Sequence, residues 1–138
     1  MTSTVSGQQW GGQKNMEWTI TIREKEQYVE IITKGVADGK GSLDMAKAIA
    51  ITMSKNQIKR VLIDQRNVDS VSGGTIDIYQ RPKQLKATGV INELKIAEIV
   101  NPEHNEFFNF LETVCINSGF EFAIFNDKKS ALEWIFKQ

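Results

Sequence analysis

Residues 60–64 read Arg60-Val61-Leu62-Ile63-Asp64, and this stretch decides the fold class. Three consecutive apolar residues between two charged ones are typical of a short strand that is buried on both faces. Such strands occur in mostly parallel sheets that carry helices. The stretch therefore predicts a central strand of an α/β domain. The polar residues from Gln65 to Gly74 predict that a loop follows it.

Strand and helix patterns alternate on both sides of this strand. Upstream, a strand with alternating apolar residues at 18–22 and a second strand at 28–33 precede an amphipathic helix, which we expect Ser42 to cap and which runs to about Asn56. Downstream, Thr75 to Thr88 has a helical pattern that contains Pro82, so the helix either kinks there or a second helix begins.

The rest of the chain repeats this alternation. A strand over 94–100 leads to a helix that is capped by Asn101, and a last strand leads to a helix after Asn126 or Asp127. The element order is β-β-α-β-α-β-α-β-α. It predicts one α/β sandwich with a mixed, mostly parallel sheet of about five strands and four helices.

The first 15 residues differ from the remainder. They are rich in Ser, Thr, Gly and Gln and contain few large apolar side chains, so they cannot offset the entropy lost on ordering. We expect a flexible tail over residues 1–15 and a folded domain over residues 16–138.

Composition limits the classes of function. The chain has 138 residues, 17 basic and 17 acidic, and its formal net charge is zero. A balanced charge gives no general attraction to nucleic acid, and it permits self-association, so a homodimer is one expectation. No apolar run is long enough for a transmembrane segment, and no signal peptide is visible, so we expect the cytoplasm.

Single reactive side chains do not amount to a catalytic set. Cys115 lies on the apolar face of its predicted helix and is expected to be a buried small hydrophobe. His104 is the sole histidine in the sequence, and a lone histidine without cysteines makes a poor metal site. From the sequence we therefore expect that the protein is not an enzyme and that it binds no metal and no cofactor.

Three motifs resemble the STAS domain, the fold of anti-sigma-factor antagonists and of the cytoplasmic tail of sulphate transporters. The motifs are residues 60–64 before a loop, Val71-Ser72-Gly73-Gly74 before a helix, and the ending from Phe125-Asn126-Asp127 to Ile135. The likeness runs from about Glu17 to the C-terminus and is greatest to small stand-alone bacterial proteins described as STAS/SEC14-like.

The antagonist branch implies a protein-binding module whose loop serine is phosphorylated by a partner kinase. The matching loop reads Asp69-Ser70-Val71-Ser72-Gly73, with a valine between the serines and Gly74-Thr75 in place of the usual Leu-Gly. Its position beyond a central strand is where ligands bind in open α/β sheets. Candidate residues for a partner or phosphate site are Asp64, Asp69, Ser70, Ser72, Gly73, Gly74 and Thr75. The competing interpretation is that these residues form a solvated turn and a helix cap.

The SEC14-like branch implies instead a carrier or sensor of a small apolar ligand beside the sheet. Tyr79, Phe107 and Phe108 are candidates to line such a groove, although core filling is the stronger interpretation of the aromatic residues. Phe107 and Phe108 are adjacent on a helix and cannot point the same way, so we expect one of them to be exposed or to line a groove. The leading hypothesis is a non-enzymatic regulatory module that binds a protein, and the ligand carrier is the alternative.

Overall fold

A six-stranded mixed sheet forms the centre of the molecule in the computed structural model, which describes residues 4–8, 16–72, 75–87 and 93–137. The strands are β1 (Thr4–Gln8), β2 (Glu17–Arg23), β3 (Tyr28–Ala37), β4 (Arg60–Val71), β5 (Lys95–Ile99) and β6 (Glu121–Phe125). The helices are α1 (Gly39–Asn56), α2 (Thr75–Lys86), α3 (Asn105–Asn117) and α4 (Lys128–Ile135), with a 3-10 turn over Pro102–His104. The α/β class and the order of five strands and four helices are as predicted.

The additional strand is β1, which lies within the segment predicted to be a tail. It pairs antiparallel with β2 from Thr4 opposite Thr21 to Gln8 opposite Glu17. Backbone groups at a sheet edge can pair with any extended segment, whether or not its side chains are apolar. Apolar patterning therefore gave no sign of this strand.

Strand order follows chain order, from β1 at one edge to β6 at the other. The pairs β1–β2 and β2–β3 are antiparallel, and the next three pairs are parallel. Right-handed crossovers that all advance in one direction place α1, α2 and α3 on the same face of the sheet. The α4 helix follows the last strand and covers part of the opposite face.

The two faces have separate apolar cores. The larger core joins β2 to β6 with α1 and α3 and includes Met45, Met53, Phe108 and Leu111. The smaller core lies beneath α4, and its members are Tyr28, Leu62, Ala97, Ile99, Ala131 and Ile135. Leu62 lies in the smaller core while Val61 and Ile63 lie in the larger one. The central strand is therefore buried on both faces, as predicted.

The loop predicted from Gln65 is wrong over most of its length, because β4 continues to Val71. Its second half pairs with the end of β3, from Lys34 opposite Asn67 to Ala37 opposite Val71. The register shifts twice, and each shift places one extra residue in β4. Bulges let a strand accept polar residues that would break a regular alternation. Gly35, with φ 88°, occupies the second shift, where a left-handed backbone favours glycine.

Helix ends differ from the sequence expectation at one point. Asp38, not Ser42, caps α1, and its Oδ1 accepts a hydrogen bond of 2.6 Å from the backbone N–H of Gly41. Asp127 caps α4 by accepting from the Ser130 backbone N–H, while Asn101 accepts from the Glu103 backbone N–H and caps the 3-10 turn that precedes α3 rather than α3 itself. Pro82 lies inside a single continuous α2 helix, so of the two alternatives the second helix is wrong.

Candidate functional site

Asp64 lies inside β4 and not in a solvated turn, and it is about nine-tenths buried. Its carboxylate accepts hydrogen bonds from Arg66 Nη2 at 2.8 Å, from Arg66 Nε at 3.0 Å and from the Arg66 backbone N–H at 3.1 Å. Burial by itself would raise the pKa of Asp64, but the bonds from Arg66 outweigh it and hold that pKa below its usual value. Asp64 is therefore ionised, and its hydrogen bonds with Arg66 stabilise the first of the two register shifts in β4.

A second buried carboxylate stands on the same face of the sheet. Glu30 of β3 is 4% exposed and lies 2.7 Å from Arg23 of β2 and 2.7 Å from Lys128 of α4. Burial opposes ionisation of Glu30, yet hydrogen bonds from Lys128 and Arg23 lower its pKa overall. The cluster fastens α4 to the sheet. We had not predicted it, although an acid within the apolar run 28–32 was a visible signal.

The serine candidates lie on the surface at the end of β4, just before α2. Asp69 and Ser70 are exposed residues of β4, and Ser70 pairs with Val36 of β3. Ser72 is exposed, and its backbone N–H donates to the carbonyl of Ala37 at 2.8 Å. Thr75 is the first residue of α2. Gly73 and Gly74 lie outside the described residues.

The aromatic candidates separate into two environments. Phe108 is 1% exposed and Phe107 is half-buried, and their rings form an edge-to-face pair with centroids 5.0 Å apart. Both side chains border the same internal cavity, and Phe107 is the less buried of the two. Tyr79 is 61% exposed and contacts Phe110 edge to face at 5.4 Å, outside that cavity.

The cavity lies between the sheet, α1 and α3, and has a volume of about 50 Å³. Its apolar lining comes from all three layers and includes Ala37, Met45, Ala46, Ile49, Val61, Ile63, Ile96, Phe107, Phe108, Leu111, Cys115 and Phe122. Ser42 and Phe107 are half-buried lining residues, so they mark the side nearest the solvent. The larger core thus contains a space for water or a compact molecule.

Two polar side chains, Gln65 of β4 and Glu98 of β5, lie in the wall of this cavity, and each is 4% exposed. Gln65 Nε2 donates a hydrogen bond to Glu98 Oε1. Gln65 Oε1 is buried and has no hydrogen-bond partner among the described residues. Neither residue is among the candidates predicted from the sequence. Glu98 carried a signal, because it interrupts the apolar run 96–100.

An open groove of about 540 Å³ runs between α1 and α2 on the outer surface. It is lined by Lys47, Ala50, Ile51, Ser54, Lys55, Gln84 and Ala87. Ile51 is 59% exposed, and neither lysine forms an ion pair with a described residue. The groove therefore combines exposed apolar surface with positive charge.

Solved structures of similar shape identify the fold. One is a protein of the DUF3478 family with a SpoIIAA-like fold from Shewanella loihica, 17% identical, with a TM-score of 0.51 over 98% of this chain and 95% of that one. Another is an anti-sigma factor antagonist from Mycobacterium paratuberculosis, 13% identical, with a TM-score of 0.55 over 98% of this chain and 96% of that one. The fold is SpoIIAA-like.

The SpoIIAA-like fold agrees with the STAS resemblance that the three motifs indicated. No protein-family model matches the chain, and no curated protein sequence matches it. The identities are low, so the likeness extends to the fold and not to particular site residues. Across the described ranges, no helix has the length and apolar content needed to span a bilayer, and no three potential metal ligands cluster.

Proposed function

We propose that this domain is a non-enzymatic regulatory module that binds a protein partner through α2 and the surfaces beside it. The observation that carries the proposal is the exposure of Ile51 and Tyr79, the two most exposed large apolar side chains among the described residues. One lies in the α1–α2 groove and the other lies on α2 itself. Exposed apolar side chains rimmed by polar ones are typical of interaction surfaces.

The fold supports the same proposal by analogy. The structural neighbour from Mycobacterium paratuberculosis is described as an anti-sigma factor antagonist, so its own role is to act on another protein. The charge of the groove suggests the chemistry of a partner here. Lys47 and Lys55 are free to pair with acidic side chains that flank an apolar anchor.

Partner capture from native lysate tests the surface. We expect the wild type to retain a protein that is lost when Ile51 is changed to Glu or Tyr79 to Ala. The matched control is Ile116→Glu, because Ile116 is 50% exposed on α3 and lies outside the groove. Equal capture by all four proteins, each with an unchanged Tm, would contradict the proposal.

A phosphorylation switch at Ser72 or Ser70 is the finer part of this proposal. Both hydroxyl side chains are exposed, so a kinase could reach them, and Ser72 lies three residues before the first residue of α2. A phosphate near a helix N-terminus is favoured by the positive end of the dipole, and it would place new charge beside the surface.

Charge-mimicking variants test the switch separately from the surface. We expect Ser72→Asp to reduce capture of the partner several-fold, while Ser72→Ala retains it. Ser70→Asp distinguishes the two candidate positions. If the alanine and aspartate variants at both positions capture as much partner as the wild type, the serines do not regulate binding.

A second candidate function is the carriage or sensing of a small ligand in the internal cavity. The apolar lining with two polar side chains in its wall favours it, since such pockets bind small molecules. The volume of about 50 Å³ restricts the ligand to a compact molecule rather than a lipid chain. Native mass spectrometry of freshly purified protein is expected to show extra mass, and a bare protein mass would count against this function.

A further inference from the structure

We infer that the cavity binds a compact, uncharged molecule that donates one hydrogen bond to Gln65 Oε1. The inference rests on the second function proposed above and names the chemistry of its ligand. Gln65 is 4% exposed, borders the cavity and has an amide oxygen without a donor among the described residues. Most buried side-chain acceptors in proteins are paired, so this oxygen indicates a donor that none of the described residues supplies.

The orientation of the Gln65 amide is fixed by its neighbour. Gln65 Nε2 donates to Glu98 Oε1. Turning the amide over would bring Gln65 Oε1 against a carboxylate oxygen, and two acceptors repel each other. The unpaired atom of the Gln65 amide is therefore its oxygen, an acceptor, and the ligand has to carry an N–H or O–H donor.

The remaining lining sets the other properties of the ligand. Side chains such as Met45, Ile63, Phe108 and Leu111 offer apolar contact, so the body of the molecule is apolar. A charged ligand would lose its hydration against this mostly apolar lining, and an uncharged donor avoids that cost. The volume of about 50 Å³ limits the body to the size of a small ring or a short branched chain.

Pyrrole and furan are matched probes for this inference, because both are five-membered rings and pyrrole alone carries an N–H donor. Each is titrated into the full chain, and dissociation constants are measured from protein chemical shifts, with methyl shifts of Met45 and Ile63 locating the site. We expect the wild type to bind pyrrole about ten-fold more tightly than furan, since a site built for a donor rejects the analogue that lacks it.

Gln65→Leu removes the acceptor at nearly constant volume and is expected to abolish the preference for pyrrole. Gln65→Met serves the same purpose if the leucine variant fails to fold. Thr33→Val is the control, because Thr33 is buried and polar but does not border the cavity, and it should leave the preference intact.

The outcomes separate this inference from the function on which it rests. Equal binding of pyrrole and furan by the wild type, or a preference that survives in both Gln65 variants, would overturn the donor requirement while small-ligand binding stands. If neither probe shifts the methyl groups of Met45 and Ile63, the cavity holds water only, and both proposals fail.

Discussion

At the scale of single residues, the close approach of Met16 to Gly41 joins the start of β2 to the first turn of α1. Met16 is fully buried, and a Cβ placed on Gly41 would lie 2.7 Å from Met16 Cβ and 2.9 Å from Asp38 Oδ1, the capping oxygen. A Cβ atom is fixed to the backbone and cannot move aside as a side-chain tip can. Glycine is required here by packing, although a helix by itself would favour alanine.

Because of this contact, we expect Gly41→Ala to change the stability of the protein in the opposite direction from the one that helix propensity predicts. Replacing an exposed helical glycine with alanine usually stabilises a protein by roughly 0.5–1 kcal/mol. We expect Gly41→Ala instead to lower the free energy of unfolding by about 1–3 kcal/mol, because the added methyl overpacks the contact. Urea denaturation measures the change. Ser54→Ala on the exposed side of α1 is the control and should be neutral or slightly stabilising. Stabilisation by Gly41→Ala would show that Met16 does not pack as described.

At the scale of elements, β4 is longer than its local sequence pattern predicts, because pairing with β3 extends it. Residues 65–71 look like a loop because most of them are polar. They form a strand because the far end of β3 supplies backbone partners, while β5 pairs with β4 no further than Asp64. The exposed side chains of this segment are polar because that half of β4 projects past β5. Gln65 and Val68, at 4% and 3% exposed, are the buried side chains of this segment.

The strand assignment predicts unequal effects at two adjacent positions. Val68→Ala removes buried apolar volume, and we expect the free energy of unfolding to fall by about 2 kcal/mol. Asn67→Ala changes an exposed side chain and should shift it by less than about 0.5 kcal/mol. Chemical denaturation of both variants provides the comparison. Equal, small effects would indicate that the segment behaves as the loop that its composition suggests.

At the scale of the whole molecule, the Glu30 cluster connects three elements that are distant in sequence. Arg23 comes from β2, Glu30 from β3 and Lys128 from α4, nearly 100 positions later in the chain. The cluster and the smaller apolar core together hold α4 on a face of the sheet that no other described helix covers. Stability should therefore depend on the ionisation of Glu30.

The lowered pKa of Glu30 sets the direction of the pH dependence. The ionised carboxylate is favoured by folding, so its contribution is fully present above its usual pKa near 4.5 and is lost as the pH falls through the lower folded value. We expect Glu30→Gln to lower the free energy of unfolding at pH 7 by about 1–3 kcal/mol. The difference from the wild type should shrink below about pH 4.

Urea titrations at several pH values measure both effects. Glu133→Gln is the control, since Glu133 is exposed on α4 and should show neither the loss at pH 7 nor the convergence in acid. A Glu30→Gln variant that stays less stable by the same amount at every pH would mean that packing, not charge, accounts for the loss.

The sequence by itself determined the elements whose signal is local. Apolar periodicity defined the central strand at 60–64 and the helix faces, Asn101 and Asp127 marked two helix starts, and these signals were sufficient for the α/β class and the element order. Only the tertiary structure decided the rest. Four features depend on partners that are far apart in the chain: the sixth strand, the extension of β4, the hydrogen bond between Gln65 and Glu98, and the ion pair between Glu30 and Lys128. Local patterning reports which face of an element is apolar, but not which distant backbone or side chain lies against it.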